Sequence, residues 1–422
     1  MDGKWILRLC LCRVLIFKGN TMKSVKIPLS VAVMVASFGA QAVEPQGILL
    51  DSGITLLPSV ELSVEDNDNV YLQPEETQES STVTRLSPAV AVAADLGQTQ
   101  LALGFAAEKG TYSSDEDDNY TDTRINVGAD FEMTSRHALA LSAQVNSLHD
   151  ARGAGTTEGS AALEIKDPDE YDENIWDAAF TYGSANALFN MTFGLNRYEK
   201  EYQNNLNVAA TDNRDHVKTT LSVDTAIYVS DRSNFLIDLS TANIDYNEDN
   251  IITEGREGSL TKALVGMSYD LTGKLSGSAK VGAAQRNFDS DDVDSDKTLS
   301  WEVMGVWTPR TYSAITVFTS QASNEASSVG NYIDTKYSMV SWKHEFSEFF
   351  SLTTDVSLAS DTYYNEVNNR EDDTLSYSIT GTYSPAKTLD VYGRIRQAER
   401  DSSEAGLDYD QQVVTLGLKL AI

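Results

Sequence analysis

Four histidines, several runs of carboxylates and a set of fixed charges at alternating positions are the side chains of this sequence that could do chemistry. Acid–base or nucleophilic catalysis needs a base within hydrogen-bond reach of its partner. His137 falls in an expected turn, His344 near an inner strand end, and His149 and His216 near outer ends of strands that are not neighbours. No G-x-S-x-G, H-E-x-x-H or phosphate-cradling glycine loop stands in a fitting context, so no enzyme, catalytic residue or cofactor is expected. The acidic runs are EDNDN at 65–69, DEDDN at 115–119, DPDEYDE at 167–173 and DSDDVDSD at 289–296. Hard cations favour such carboxylates, but DSDDVDSD lacks the central Gly and closing Glu of an EF-hand, and no metal site is assigned. These runs read as solvated loops, able to bridge to lipopolysaccharide phosphates through divalent ions, and as a surface that repels anions and concentrates cations.

The fixed charges carry a different chemistry. Arg85, Arg124, Lys218, Lys280, Arg394, Arg396 and Lys419, against Asp130, Glu132, Asp224, Asp238, Glu302 and Asp355, fall on the polar parity of alternating segments. Tyr228 and Tyr392 share that parity and offer ring faces on which sugars stack. Charges lining a water-filled hole select among solutes without breaking bonds.

The elements that position these residues are strands. In RINVGADFEM, Ile125, Val127, Ala129, Phe131 and Met133 fall on one face and Arg124, Asn126, Gly128, Asp130 and Glu132 on the other. The pattern recurs at 221–229, 350–358 and 414–422 over segments of about ten to fifteen residues, longer than the five or six usual in soluble sheets. Connections alternate in length. Tight turns are expected at 95–98, 134–137, 183–187, 230–233, 271–274, 308–311, 346–349 and 384–387, and longer acidic loops near 66–81, 112–120, 150–170, 202–213, 247–255, 289–296, 323–330, 365–370 and 401–407. That arrangement predicts an all-β, transmembrane, antiparallel up-and-down β-barrel of about 18 strands, with short periplasmic turns and longer extracellular loops. Gly53–Glu65 and Tyr409–Ile422 are the expected closing pair, because only a closed sheet satisfies its backbone in hydrocarbon. Two aromatic girdles are expected, Trp307, Tyr312, Trp342, Phe346, Phe349 and Tyr383 toward the turns and Tyr112, Tyr120, Tyr332 and Tyr363 toward the loops.

Composition agrees with a barrel. With 63 acidic against 32 basic side chains, the chain is no nucleic-acid binder. After residue 43 no stretch reaches the roughly 18–20 apolar residues of a spanning helix. From Met22 a basic start, an apolar run of about 13 residues and small residues at Ala40 and Ala42 spell a secretory signal peptide. The expected organisation is an over-extended start at 1–21, a signal peptide at 22–42 and an outer-membrane barrel at 43–422. The two cysteines, Cys10 and Cys12, precede the signal, which leaves the barrel without a thiol.

The first hairpin carries a resemblance. LLPSVELSVEDNDNVY (56–71) and STVTRLSPAVAVAADLG (81–97), with Asp68-Asn69-Val70 and Arg85-Leu86-Ser87-Pro88, resemble the opening of the EpsL-type barrels, also called β-barrel porin family 2. The resemblance implies export of an exopolysaccharide or capsular polysaccharide, together with a periplasmic polysaccharide-export lipoprotein and a polymer made behind the pore. It brings no catalytic residues. Two other readings stand beside it: an uptake porin for small solutes, whose mark would be an inward-folded constricting loop at 66–81 or 150–170, and a structural or adhesive barrel working through its acidic loops. Outer-membrane lipid and lipopolysaccharide are expected partners in each, and oligomeric state is left open.

Overall fold

The computed structural model describes residues 47–50, 53–184, 187–248, 255–326, 330–364 and 369–422, so the expected leader lies outside the described residues. The described residues form β1 (Ile48–Leu49), β2 (Ile54–Asn67), β3 (Ser81–Asp95), β4 (Thr99–Tyr112), β5 (Tyr120–Thr134), β6 (His137–Asp150), β7 (Asp169–Tyr182), β8 (Phe189–Tyr202), β9 (His216–Ser230), β10 (Ser233–Tyr246), β11 (Gly258–Asp270), β12 (Leu275–Phe288), β13 (Asp296–Arg310), β14 (Ser313–Glu325), β15 (Tyr332–Glu345), β16 (Phe350–Tyr364), β17 (Arg370–Ala386), β18 (Leu389–Ser402) and β19 (Tyr409–Ala421). Strands β2 to β19 each pair antiparallel with their sequence neighbours, and β19 returns to β2, which closes an 18-stranded barrel. The eighteen strands and the closing pair are those the alternation predicts.

Strand length and alternation follow from the two solvents the sheet separates. Ile125 and Val127 are exposed while Asn126 between them is buried, and Leu416 and Leu418 are exposed while Thr415 and Lys419 are buried. The exposed apolar side chains form the belt that meets lipid, and the buried polar ones face inward. A one-residue slip would reverse both faces, so the register is fixed by this pattern. Two inner turns lie later than expected, because β13 runs to Arg310 and β17 to Ala386, each through a register irregularity next to its hairpin.

The seam is short. β19 and β2 pair from Val413↔Asn67 to Ala421↔Ser59, and Ile422 N donates to Pro58 O at 3.1 Å. Residues 54–58 therefore extend past the end of β19, and β1 pairs alongside Thr55 and Leu56.

The girdles differ from expectation at the outer rim. Trp307, Tyr312, Phe346, Phe349 and Tyr383 are exposed near the periplasmic turns, as a lipid-interface ring requires. Tyr120, Tyr332 and Tyr363 are buried instead. Each sits on the inward parity, Tyr120 bonding Arg85 and Glu108, Tyr332 donating to Asp296 and Tyr363 lying under Arg370, so nearness to a strand end misassigned them.

Candidate functional site

The charged side chains expected in the lumen lie on the face opposite the apolar belt, and the register determines which of them meet. Lys280 on β12 reaches Asp238 on β10 (2.8 Å) and Glu302 on β13 (2.5 Å). Arg85 on β3 bonds both carboxylate oxygens of Glu65 on β2 and donates from Nε to the Tyr120 hydroxyl (3.0 Å), which donates to Glu108 (2.7 Å). Tyr392 donates to Glu61 across the seam (2.6 Å), and Lys419 stands in register between Glu61 and Asp390. Lys218 meets Glu325 (3.1 Å) and Arg124 meets Asp122 (3.4 Å). Asp355 accepts from Ser341 (2.6 Å) and Ser378 (3.2 Å), and Asp224 from Ser222 (3.5 Å). Arg396 donates to Ser376 (3.4 Å), Arg394 lies in register between Thr380 and Thr415, and Asp130 lies between Gln100 and Ala140. Glu132 and Tyr228 sit exposed at the periplasmic rim, where Tyr228 donates to Asp231 (2.6 Å). The fifteen residues do not form one ring; they are spread along the wall in local pairs.

The densest chemistry is at the outer mouth, built from loops and strand ends. The loop between β6 and β7 holds a short helix, α1 (Ala161–Glu164), and is fastened first to the near wall. Arg152 donates to Asp118 (2.7 Å), Asp115 (2.7 Å) and the Tyr71 hydroxyl, and its guanidinium lies over the Tyr71 ring at 4.2 Å. Burial disfavours this guanidinium's charge, but Asp118, Tyr71 and Asp115 together more than offset it, and Arg152 is held above its usual range. Burial and the same carboxylate push the Tyr71 phenol well up. Gly153 follows at φ +89, with Tyr71 O at 2.1 Å from where a Cβ would stand, so only glycine fits. The β2–β3 loop locks onto the same segment, Gln73 donating to Gly159 O at 2.8 Å.

From there the loop reaches β17 and β18. Glu158 accepts from Arg370 at 2.7 and 3.2 Å and from Arg400 at 3.4 Å. Arg370 begins β17 and Arg400 lies near the outer end of β18, while β5, β4, β3, β2 and β19 stand between β6 and β18 by the shorter way round. On the way it is held by the β4–β5 loop through Asp115 and Asp118 and by the β2–β3 loop through Tyr71 and Gln73, so contacts with the intervening loops carry it to β17 and β18. Asp372 accepts from Arg370 Nε at 2.9 and 3.0 Å and from Ser402 at 2.6 Å, and Arg400 Nε donates to Leu407 O at 2.8 Å. The two guanidiniums lie over the Tyr363 and Tyr409 rings at 4.3 and 4.7 Å.

A second network lines the mouth between β7 and β14. Arg214 meets Asp150 (3.4 Å) and Asp169 (3.6 Å), and Arg286 donates to Glu325 (2.6 Å) and to Arg256 O (3.2 Å). Asp215, in the loop before β9, accepts from Tyr202 N (2.7 Å), and burial pushes its carboxyl up to about 6. His149 meets Asp122 (2.8 Å) and stacks on Tyr120 at 3.6 Å, so an aromatic ring covers this acid–base pair.

Sequence reasoning missed Arg152, Glu158, Arg370, Asp372 and Arg400. Arg400 was within reach, since it shares the parity of Arg394 and Arg396. Arg152 and Glu158 were foreshadowed only by the length of their loop, because parity has no meaning outside a strand.

A family profile described as "Putative beta-barrel porin 2" matches residues 41–422. No curated protein matches the sequence. Among solved structures, a BenF-like porin from Pseudomonas fluorescens Pf-5 is similar at TM-score 0.51 and 9% identity, over 89% of this chain and 100% of that one. OccK3 (OpdO) of Pseudomonas aeruginosa is similar at TM-score 0.48 and 11% identity, over 89% and 98% of the two chains. The FrpB iron transporter of Neisseria meningitidis, F3-3 variant, is similar at TM-score 0.44 and 7% identity, over 86% and 81%. With an 18-stranded closed barrel, an apolar belt and a profile match across the whole barrel, the chain belongs to this β-barrel porin family and is a protein of the bacterial outer membrane.

Proposed function

We propose that the barrel is a passive channel through which small hydrophilic solutes enter across the outer membrane, with its aperture set by the β6–β7 loop. A barrel of 18 strands is wide enough to leave an aqueous lumen. The observation that carries the reading is the β6–β7 loop itself, whose Arg152, Thr157 and Ala162 are buried and which is fastened at Arg152 to Asp118 and at Glu158 to Arg370. A polymer leaving the cell, as the first-hairpin resemblance implies, would have to displace that loop for the whole of its passage, whereas small solutes pass beside it. Deleting 153–164 from the protein in planar bilayers should raise the conductance in KCl, and in liposomes it should raise the size of sugar admitted. A gene deletion that abolishes surface polysaccharide but leaves small-solute uptake intact would reverse the reading in favour of export.

A further inference from the structure

The anchor of Glu158 at β17 and β18 has the chemistry of a binding site with a tethered occupant. Glu158 presents a carboxylate to two guanidiniums on neighbouring strands, one of them bidentate, in a buried setting floored by Tyr363 and Tyr409. Asp372 shares Arg370, so the four groups balance with Glu158 seated, and the cradle keeps one surplus positive charge when it leaves. Buried charge of that kind must be compensated. Among the described residues Arg400 Nη2 is buried without a hydrogen-bond partner even with Glu158 seated, a donor that the tethered carboxylate does not reach. This donor belongs to the same guanidinium whose Nη1 holds Glu158, so it adds unused hydrogen-bonding capacity to the cradle.

We infer that Arg370 and Arg400 form a carboxylate-binding cradle of the channel, in which Glu158 is an internal competitor displaced by a small carboxylate-bearing solute. A free carboxylate can turn to bond both guanidiniums and Arg400 Nη2, which a side chain held by its own loop cannot. Arg presents a planar fork that suits this group. The acidic loop tips do not forbid such a solute, because exposed charge is screened beyond about 8 Å at physiological salt while the buried cradle is not. Displacing Glu158 releases that end of the loop, so occupancy and opening are coupled. This rests on the channel reading.

The test uses the full chain folded in detergent and measures thermal unfolding in sodium acetate, in sodium phosphate and in acetamide, the neutral isostere, at matched ionic strength. Binding to the folded state raises Tm whether or not the barrel conducts. E158Q should be stabilised by acetate and not by acetamide, and its half-saturating acetate concentration should lie at least about tenfold below that of the natural chain, in which the competitor leaves the cradle free a small fraction of the time. The charge-balanced variant E158Q/R400Q should lose the acetate response. An E158Q with no acetate response, or one stabilised as strongly by phosphate, overturns the carboxylate assignment. A folded natural chain that binds acetate in this way but carries no current in planar bilayers overturns the channel reading and leaves the cradle standing.

Discussion

The two ends of the barrel are made differently. At the outer end Arg152, Arg214, Arg286, Arg370 and Arg400 are buried, each beside at least one carboxylate, and the loops that carry or face them interlock through Gln73, Glu158 and Asp169. At the inner end the connections are tight turns, the Lys343–Glu345 pair is about half exposed on both sides (44% and 52%), and Tyr228 bonds Asp231 in the open. Exposed pairs contribute little, whereas breaking a buried one leaves a charge without compensation. The outer end has long interlocked loops to hold, and the inner end has only to close the sheet.

Substitutions should reproduce that contrast in order of size. Arg370→Ala leaves Arg400 alone to balance both Asp372 and Glu158, one buried negative charge too many, and should cost about 3–5 kcal/mol in urea unfolding from lipid vesicles. Arg152→Met keeps the bulk but strands Asp118, for a loss of about 3 kcal/mol, and frees that end of the β6–β7 loop, which should show as larger and noisier single-channel current. Asp215 gives a dependence on pH. Its folded value of about 6 exceeds the unfolded value, so between pH 4 and 6 the folded state holds the proton the unfolded state has lost, and stability falls as pH rises through that window. The fall is at most about 3 kcal/mol, and Asp215→Asn, which still accepts from Tyr202, should flatten it. At the inner end Lys343→Ala should change stability by less than about 0.5 kcal/mol; a larger loss there would erase the contrast.

The wall was more legible than the mouth, and the reason is physical. A strand between lipid and water must alternate, so Ile125 to Met133 on one side and Arg124 to Glu132 on the other announce both the element and its faces. Tight turns must fit between strands, which made the number of strands readable. A loop in water meets no such demand. Glu158 acquires its meaning from Arg370 and Arg400, more than two hundred residues away, and nothing local marks that meeting. The outer tyrosines were misread for a related cause, since nearness to a strand end suggested lipid while parity pointed Tyr120, Tyr332 and Tyr363 inward.

The join between first and last strand bears on how the cylinder comes apart. It is held by nine opposed residue pairs, against fourteen between β2 and β3. The β13–β14 ladder has fewer pairs, seven, but a tight turn joins those strands and none joins β19 to β2, so under denaturant or pulling force the ring should split along the seam first, and during assembly the same line should be the last to zip.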